Sequence, residues 1–254
     1  MLRSRVIPCL LMRNNGLVKT VQFDEGKYVG DPINAVRIFN EKEADELIVL
    51  DIDASVQGRE PDFAKIAHLA AECRMPLCYG GGVKTADQVT RIMSLGVEKV
   101  AISSGLIENP NLVRDIAVQV GNQSVVAVLD VKKVGREHRV FIFNGKKDTG
   151  KAPIPLAKEL EAMGIGEIVL NSIDRDGMMK GYDLELIDAL RKAVRVPITV
   201  IGGAGSLADI RGVIQAHGPI GVAAGSLFVF KGVYRAVLIN YPSQADRDAL
   251  HVAG

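Results

Sequence analysis

Three aspartates, Asp51, Asp130 and Asp176, lie at or just after the ends of apolar runs, where a fold could bring them together. Carboxylates facing each other across a cavity can act as general acid and general base, each supplying a factor of about 10² to 10⁴ in rate. Aspartates at strand ends also cap loops, and for Asp51 and Asp174 both readings stand. Asp130 is the strongest catalytic candidate because it directly follows the run Val125–Leu129. Lys19 and Lys132 are cations that could bind a phosphate or a sugar hydroxyl, although Lys132 also reads as a solvated side chain. Around these charges stand two glycine-rich turns, Gly80-Gly81-Gly82 and Gly202-Gly203-Ala204-Gly205. Each is followed by a second turn of small residues, Ser103-Ser104-Gly105 and Ala224-Gly225-Ser226. Glycines leave backbone amides uncovered, and amides at a helix N-terminus favour an anion such as phosphate. Gly82, Ser103 and Ser104 make one expected grip; Gly203, Ala204, Gly225 and Ser226 make the other. Two opposed grips imply a long substrate with an anionic group at each end, unless the first is a relic of duplication. None of His68, His138, His217 and His251 falls at a strand end, so imidazole catalysis is not expected. Cys9, Cys73 and Cys78 have no metal-ligand spacing; Cys9 and Cys78, inside apolar strand-like runs, read as buried thiols, and a reduced set is the simplest reading. No metal and no cofactor is expected.

The elements that must position these groups repeat. An apolar run ending in acids, a strand ending in glycines, a helix and a strand ending in small residues occur twice, about 120 residues apart. Val6–Leu11, Glu46–Leu50, Met75–Tyr79, Lys99–Ile102, Val125–Leu129, Glu167–Leu170, Ile198–Ile201 and Gly221–Ala224 read as strands. Between them Pro32–Phe39, Asp62–Cys73, Thr85–Leu95, Asn111–Val120, Pro153–Met163, Leu184–Ala193 and Leu207–Ala216 read as helices, with a last helical segment near Tyr234–Ile239. Asp31 caps the first helix and Pro32 opens it. Phe63, Ile66, Ala67 and Ala70 form the apolar face of the second. Met12–Asn15 reads as a polar loop, and Val134–Gly150 as a turn-rich insertion whose Arg139–Phe143 is a hairpin arm. Strands alternating with helices over 254 residues predict a (β/α)8 TIM barrel. The repeat favours it over a doubly wound open sheet, because two four-strand halves, about 1–120 and 121–254, close into a single barrel. Its C-terminal rim would carry Leu11, Asp51, Tyr79, Ser103, Asp130, Asn171, Ile201 and Gly225 or their neighbours.

Composition sets the remaining bounds. A net charge of +1 with no basic block argues against a nucleic-acid surface. No signal peptide or membrane-length apolar run is evident, so a cytoplasmic protein is expected. At the opposite end of the predicted barrel, Arg5, Glu46, Lys99 and Glu167 sit at or just before strand starts. Two cations and two anions there could close a ring of ion pairs, serving either as structural bridges or as a gate on an axial passage.

Further motifs bring a family into view: Val6-Ile7-Pro8-Cys9-Leu10, Gly30-Asp31-Pro32, Asp51-Ile52-Asp53-Ala54-Ser55, Gly80-Gly81-Gly82, Glu108-Asn109-Pro110, Ser172-Ile173-Asp174-Arg175-Asp176-Gly177 and Gly202-Gly203-Ala204-Gly205. Over nearly its whole length the chain resembles HisF, the cyclase subunit of imidazole glycerol phosphate synthase. The resemblance implies a barrel that forms a heterodimer with a HisH-type glutaminase on its bottom face. It also implies that ammonia passes the charged ring to a phosphoribulosyl substrate with two phosphates at the top. The phosphate and substrate contacts it implies are Lys19, Asp51, Gly82, Ser103, Ser104, Asp176, Gly177, Gly203, Ala204, Gly225 and Ser226.

One departure outweighs these matches. HisF proper has an essential aspartate at the end of strand one, where this chain has Leu11; the partner aspartate is kept as Asp130. Leucine cannot exchange protons, and Asn14 and Asn15 are not acids. Ser103, Ala101 and Gly225 also depart from the family pattern. The chain thereby resembles the HisF-like branch associated with glycosyl amidation in surface-polysaccharide (O-antigen) biosynthesis. There the barrel is thought to supply ammonia to a separate sugar amidotransferase. The resemblance leaves two other functions open: a working histidine-pathway cyclase, and a HisA-like sugar-phosphate isomerase that would need neither gate nor glutaminase.

Overall fold

A computed structural model describes residues 3–232 and 234–251. Among them, eight strands pair in parallel, each with the next, around a closed ring. They are β1 (Arg5–Arg13), β2 (Leu47–Asp51), β3 (Leu77–Gly80), β4 (Lys99–Ile102), β5 (Val125–Val134), β6 (Glu167–Ser172), β7 (Ile198–Ile201) and β8 (Gly221–Ala224). The ring closes where Arg5 pairs with Gly221 and Ile7 with Ala223. The outer layer consists of α1 (Pro32–Glu41), α2 (Phe63–Glu72), α3 (Ala86–Ser94), α4 (Leu112–Val120), α5 (Pro153–Ala162), α6 (Leu184–Ala193) and α7 (Leu207–His217). The chain is a (β/α)8 TIM barrel.

Period-two alternation decides what each strand offers to the interior. Ile7, Cys9, Ile48, Cys78, Ala101, Val126, Val128, Val169 and Ala223 fill the barrel, with Leu11, Leu50 and Ile201 packed against them. Their neighbours in sequence, such as Val6, Leu47, Val49, Val100, Leu129 and Leu170, turn outward against the helices. The same alternation places Arg5, Ile7, Cys9 and Leu11 on the inner face of β1. Helix starts are fixed by side-chain caps: Asp31 accepts from Asn34 N at 2.9 Å, and Ser206 forms a capping box with Asp209.

Three expectations need correction. Met12–Asn15 is not a loop: β1 runs on to Arg13, and Asn14 and Asn15, both at positive φ, turn it into a hairpin with Gly16–Thr20, itself paired with Gly26–Gly30. Asparagine tolerates that left-handed backbone better than most residues. The apolar face of α2 holds Phe63, Ile66 and Ala70 against the core as expected but also Leu69, fully buried and not expected, while Phe63 also lies under Arg91. Tyr234–Ile239 is not helical. Phe230–Lys231 and Ala236–Val237 pair as an antiparallel ribbon, and the last helix, α8, is Gln244–Ala249. Tyr234, Val237 and Leu238 are exposed, so no core rewards a helix there.

The chain's end returns to its beginning. Tyr241 Oη donates to the Val6 carbonyl at 2.7 Å and accepts from Asp45 N at 3.2 Å. Asp45 Oδ2 in turn accepts from Val6 N at 2.9 Å, and buried Arg247 reaches Asp45 at 3.4 Å while lying over the Tyr241 ring. This latch holds the two residues next to Arg5 and Glu46.

Candidate active site

A cavity of about 110 Å³ opens at the C-terminal ends of the strands, where active sites of such barrels form. Its lining brings together Leu11, Lys19, Asp51, Ser103, Ser104, Asp130, Asn171, Asp176, Ile201 and Gly225 of the residues expected from sequence. Cys9, Thr20, Phe23 and Asn144 join them. Gly82, Gly177, Gly203, Ala204 and Ser226 are not in the lining. Tyr79 is fully buried in the outer layer, and Gly80 and Gly81 line the cavity in its place. Lys132 stands outside, exposed over the Phe141 ring.

Asp130 faces inward from β5. Asn171, its register partner on β6, donates from Nδ2 to Oδ1 at 2.9 Å, and Ser103 Oγ donates to Oδ2 at 3.3 Å. Burial pushes its carboxyl up to about 6, against those two hydrogen bonds and with a small contribution from Asp176. Asn171 suits either protonation state, because its Oδ1 is buried without a partner and could accept from the acid form after an amide flip. A carboxyl more easily protonated in the folded than in the unfolded chain stabilises the fold below about pH 4. That contribution is lost as pH rises through about 6. Stability relative to Asp130→Asn is therefore expected to fall by roughly 2 kcal/mol between pH 4 and 7, allowing for cavity water. Urea unfolding across that range checks it; parallel curves would contradict it.

The other two carboxylates are engaged. Asp176 Oδ1 accepts from Lys19 Nζ at 2.8 Å and Oδ2 from Thr20 Oγ1 at 3.1 Å; all three residues are buried. Asp51 caps its own loop, accepting from Asp53 N and Ala54 N at 3.1 Å each, with Arg59 at 3.5 Å. Asp174 also caps, accepting from Lys133 N at 2.7 Å. Among the described residues no further acid lines the cavity beside Leu11, which packs toward the apolar interior with Leu50 and Ile201.

The expected phosphate grips are partly taken by the protein itself. Gly82 N donates to Ser55 Oγ at 3.2 Å, and Ser104 Oγ accepts from Phe143 N at 3.0 Å. Gly203 is needed as glycine because a Cβ there would stand 2.1 Å from the Gly181 carbonyl. Ser226 keeps a buried hydroxyl without a partner.

At the bottom, Arg5, Glu46, Lys99 and Glu167 meet in one ring. Arg5 binds Glu46 through Nη1 and Glu167 through Nη2, the latter at 2.8 Å. Lys99 Nζ lies 2.9 Å from Glu46 and 2.8 Å from Glu167. A fifth member was not expected from sequence: Thr199 Oγ1 donates to Glu167 Oε1 at 2.5 Å and accepts from Arg5 at 3.3 Å. Burial alone would raise the Glu167 carboxyl, but Arg5 and Lys99 outweigh it and hold it below its usual value. Nothing in the local sequence singles out Thr199; only its position two residues after Pro197, at the start of β7, hints at the bottom layer.

Burial disfavours the thiolate form of all three cysteines. Burial pushes Cys9 up to about 12, and Cys78 also rises; Cys73, half-buried and donating to the Met75 carbonyl, rises to about 11. Among the described residues there is no cluster of three or more His, Cys, Asp and Glu that could hold a metal, and no helix long and apolar enough to cross a membrane.

A family model described as histidine biosynthesis protein matches residues 5–235. A protein of Vibrio vulnificus, provisionally named imidazole glycerol phosphate synthase subunit hisF3, is 58% identical over 97% of this chain and 96% of its own length. A Pseudomonas aeruginosa protein, provisionally named subunit hisF2, is 54% identical over 95% of this chain and 97% of its own. The imidazole glycerol phosphate synthase subunit HisF of Sulfolobus acidocaldarius is 39% identical over 85% and 86%.

Proposed function

The chain belongs to the HisF family of histidine-biosynthesis barrels, and from that premise we propose that it is the barrel subunit of a glutamine-dependent amidotransferase of the imidazole glycerol phosphate synthase type. In this reading a HisH-type glutaminase docks on the bottom face, and its ammonia passes the Arg5–Glu46–Lys99–Glu167 ring. The ammonia then rises through the apolar interior to the cavity around Asp130. A low-polarity bore suits neutral ammonia, since burying ammonium without a counter-ion is costly. The protein works in the cytoplasm and delivers ammonia for sugar amidation in surface-polysaccharide synthesis, through a separate amidotransferase, in place of the cyclase reaction.

The observation that carries this reading is an asymmetry between the two ends. The bottom ring is complete, whereas the top presents one free carboxyl, Asp130, opposite a hydrocarbon side chain, Leu11. Asp51 and Asp176 are tied to Arg59 and Lys19, so neither is free to replace the missing acid. The higher identity to relatives named with a copy number than to the Sulfolobus HisF agrees with a divergent branch.

The purified chain is expected to bind a HisH-type glutaminase from its own cell, yet to give no measurable cyclase turnover with ammonium salt and the two-phosphate substrate. Ready turnover would overturn the sugar-amidation reading and leave a working histidine-pathway cyclase. Failure to bind any glutaminase would remove ammonia conduction itself.

A further inference from the structure

We propose that Asp176 is an internal anion that competes with phosphate for Lys19, so that the cavity of the resting protein binds phosphate monoesters weakly. The inference goes beyond ammonia conduction and is tested on the chain alone. A barrel that conducts ammonia but binds phosphate tightly would overturn this inference and leave the other reading standing.

Lys19 comes from the hairpin strand Gly16–Thr20, and Asp176 from the loop after β6. The two meet at 2.8 Å with side chains only 5% and 9% exposed. Lys19 Nζ makes a second bond to the Thr20 carbonyl at 3.0 Å, and Thr20 Oγ1 holds the other Asp176 oxygen. The lysine stem reaches this position by crossing Gly225. A Cβ at that residue would stand 2.9 Å from Lys19 Cε and 3.2 Å from the Cys9 carbonyl. Gly225, expected from sequence to hold a phosphate, is thus the gap that lets the lysine swing inward to the aspartate.

The charges around this pair do not favour a dianion. Asp130 makes no ion pair among the described residues, and Asp51 is offset only by Arg59 at 3.5 Å. With Lys19 neutralised by Asp176, an arriving phosphate meets carboxylates and no unpaired cation in the lining. Ser226, next in the chain to Gly225, keeps a buried hydroxyl without a partner, but it lies outside the lining. The site is therefore covered by its own carboxylate. An acceptor carrying no phosphate at this end enters without having to displace Asp176.

Calorimetric titration of the full-length protein with inorganic phosphate, at constant ionic strength, tests this. Native chain is expected to show weak or unsaturated binding. Asp176→Asn is expected to bind phosphate at least about 10-fold more tightly, since it removes a buried like charge and frees Lys19. The gain should disappear in the Asp176→Asn, Lys19→Met double variant. Thr20→Val, which loosens Asp176 while keeping both charges, should show a smaller gain of about 3-fold and serves where Asp176→Asn does not fold. Equal affinity in native chain and Asp176→Asn would overturn the proposal. So would a gain that survives loss of Lys19, or, where only Thr20→Val folds, no gain in that variant.

Discussion

Replacing Leu11 with aspartate is expected to raise ammonia-dependent cyclase turnover of the isolated barrel by about 10²-fold or more at saturating substrate. Leu11 lies on the inner face of β1 and lines the same cavity as Asp130 on β5. A carboxyl there would add to Asp130 a second proton-exchanging group that no ion pair ties down. The two acids would titrate as a coupled pair, with at least one proton held to higher pH by the other's charge. The gain belongs in kcat, because Asp176 still competes for Lys19 and keeps KM high. Leu11→Asn is the control: it supplies polarity without proton exchange and should leave turnover at the native level. Bound substrate without turnover in Leu11→Asp would mean that Leu11 is not what separates this chain from a working cyclase. Introducing a polar group into this half-buried position should cost about 1–3 kcal/mol of stability, so the assay is run well below the melting temperature.

The second large effect is on stability. Arg5→Met is expected to cost about 3–5 kcal/mol, because breaking a buried ion network by removing one member leaves charge uncompensated. Glu46 and Glu167 have side chains only 5% and 6% exposed, and without Arg5 they would share Lys99 alone. Thr199 softens the loss at Glu167 but offers nothing to Glu46. For a chain of this size the loss corresponds to a fall in Tm of roughly 8–15 °C, readable by calorimetry. A change below about 1 kcal/mol would show that the ring contributes little to folding, as surface ion pairs commonly do. Arg5→Lys should recover only part, since an ammonium cannot bridge two carboxylates with the span of a guanidinium fork.

Much of this was legible in the residues. Strand alternation and glycine-ended runs give the barrel, and five strands, Lys99–Ile102, Val125–Val134, Glu167–Ser172, Ile198–Ile201 and Gly221–Ala224, begin where their patterns begin. The inward position of Asp130 and the convergence of Arg5, Glu46, Lys99 and Glu167 follow from period-two counting once the ring is closed. What could not be read were pairings between distant segments. Lys19 and Asp176 are 157 residues apart, Asn171 and Asp130 41 apart, and Thr199 and Glu167 32 apart. Each residue type alone fits many environments. The final stretch misled for another reason: Tyr234, Val237 and Leu238 are spaced like a helix face, but they lie on the surface, where spacing carries no packing energy.

The latch joining Tyr241 and Arg247 to Val6 and Asp45 also bears on how the protein emerges from the ribosome. Its first strand gains the Gly16–Thr20 arm and Leu47–Asp51 early, but the partner of Arg5–Pro8 is not synthesised until residue 221, and the residues that tie it down come later still. For most of translation β1 therefore presents an open edge, the feature that invites pairing with other nascent chains. Shortening the protein from its far end should accordingly show first as dependence on chaperones and loss to aggregates, before any change in the chemistry of the cavity is measurable.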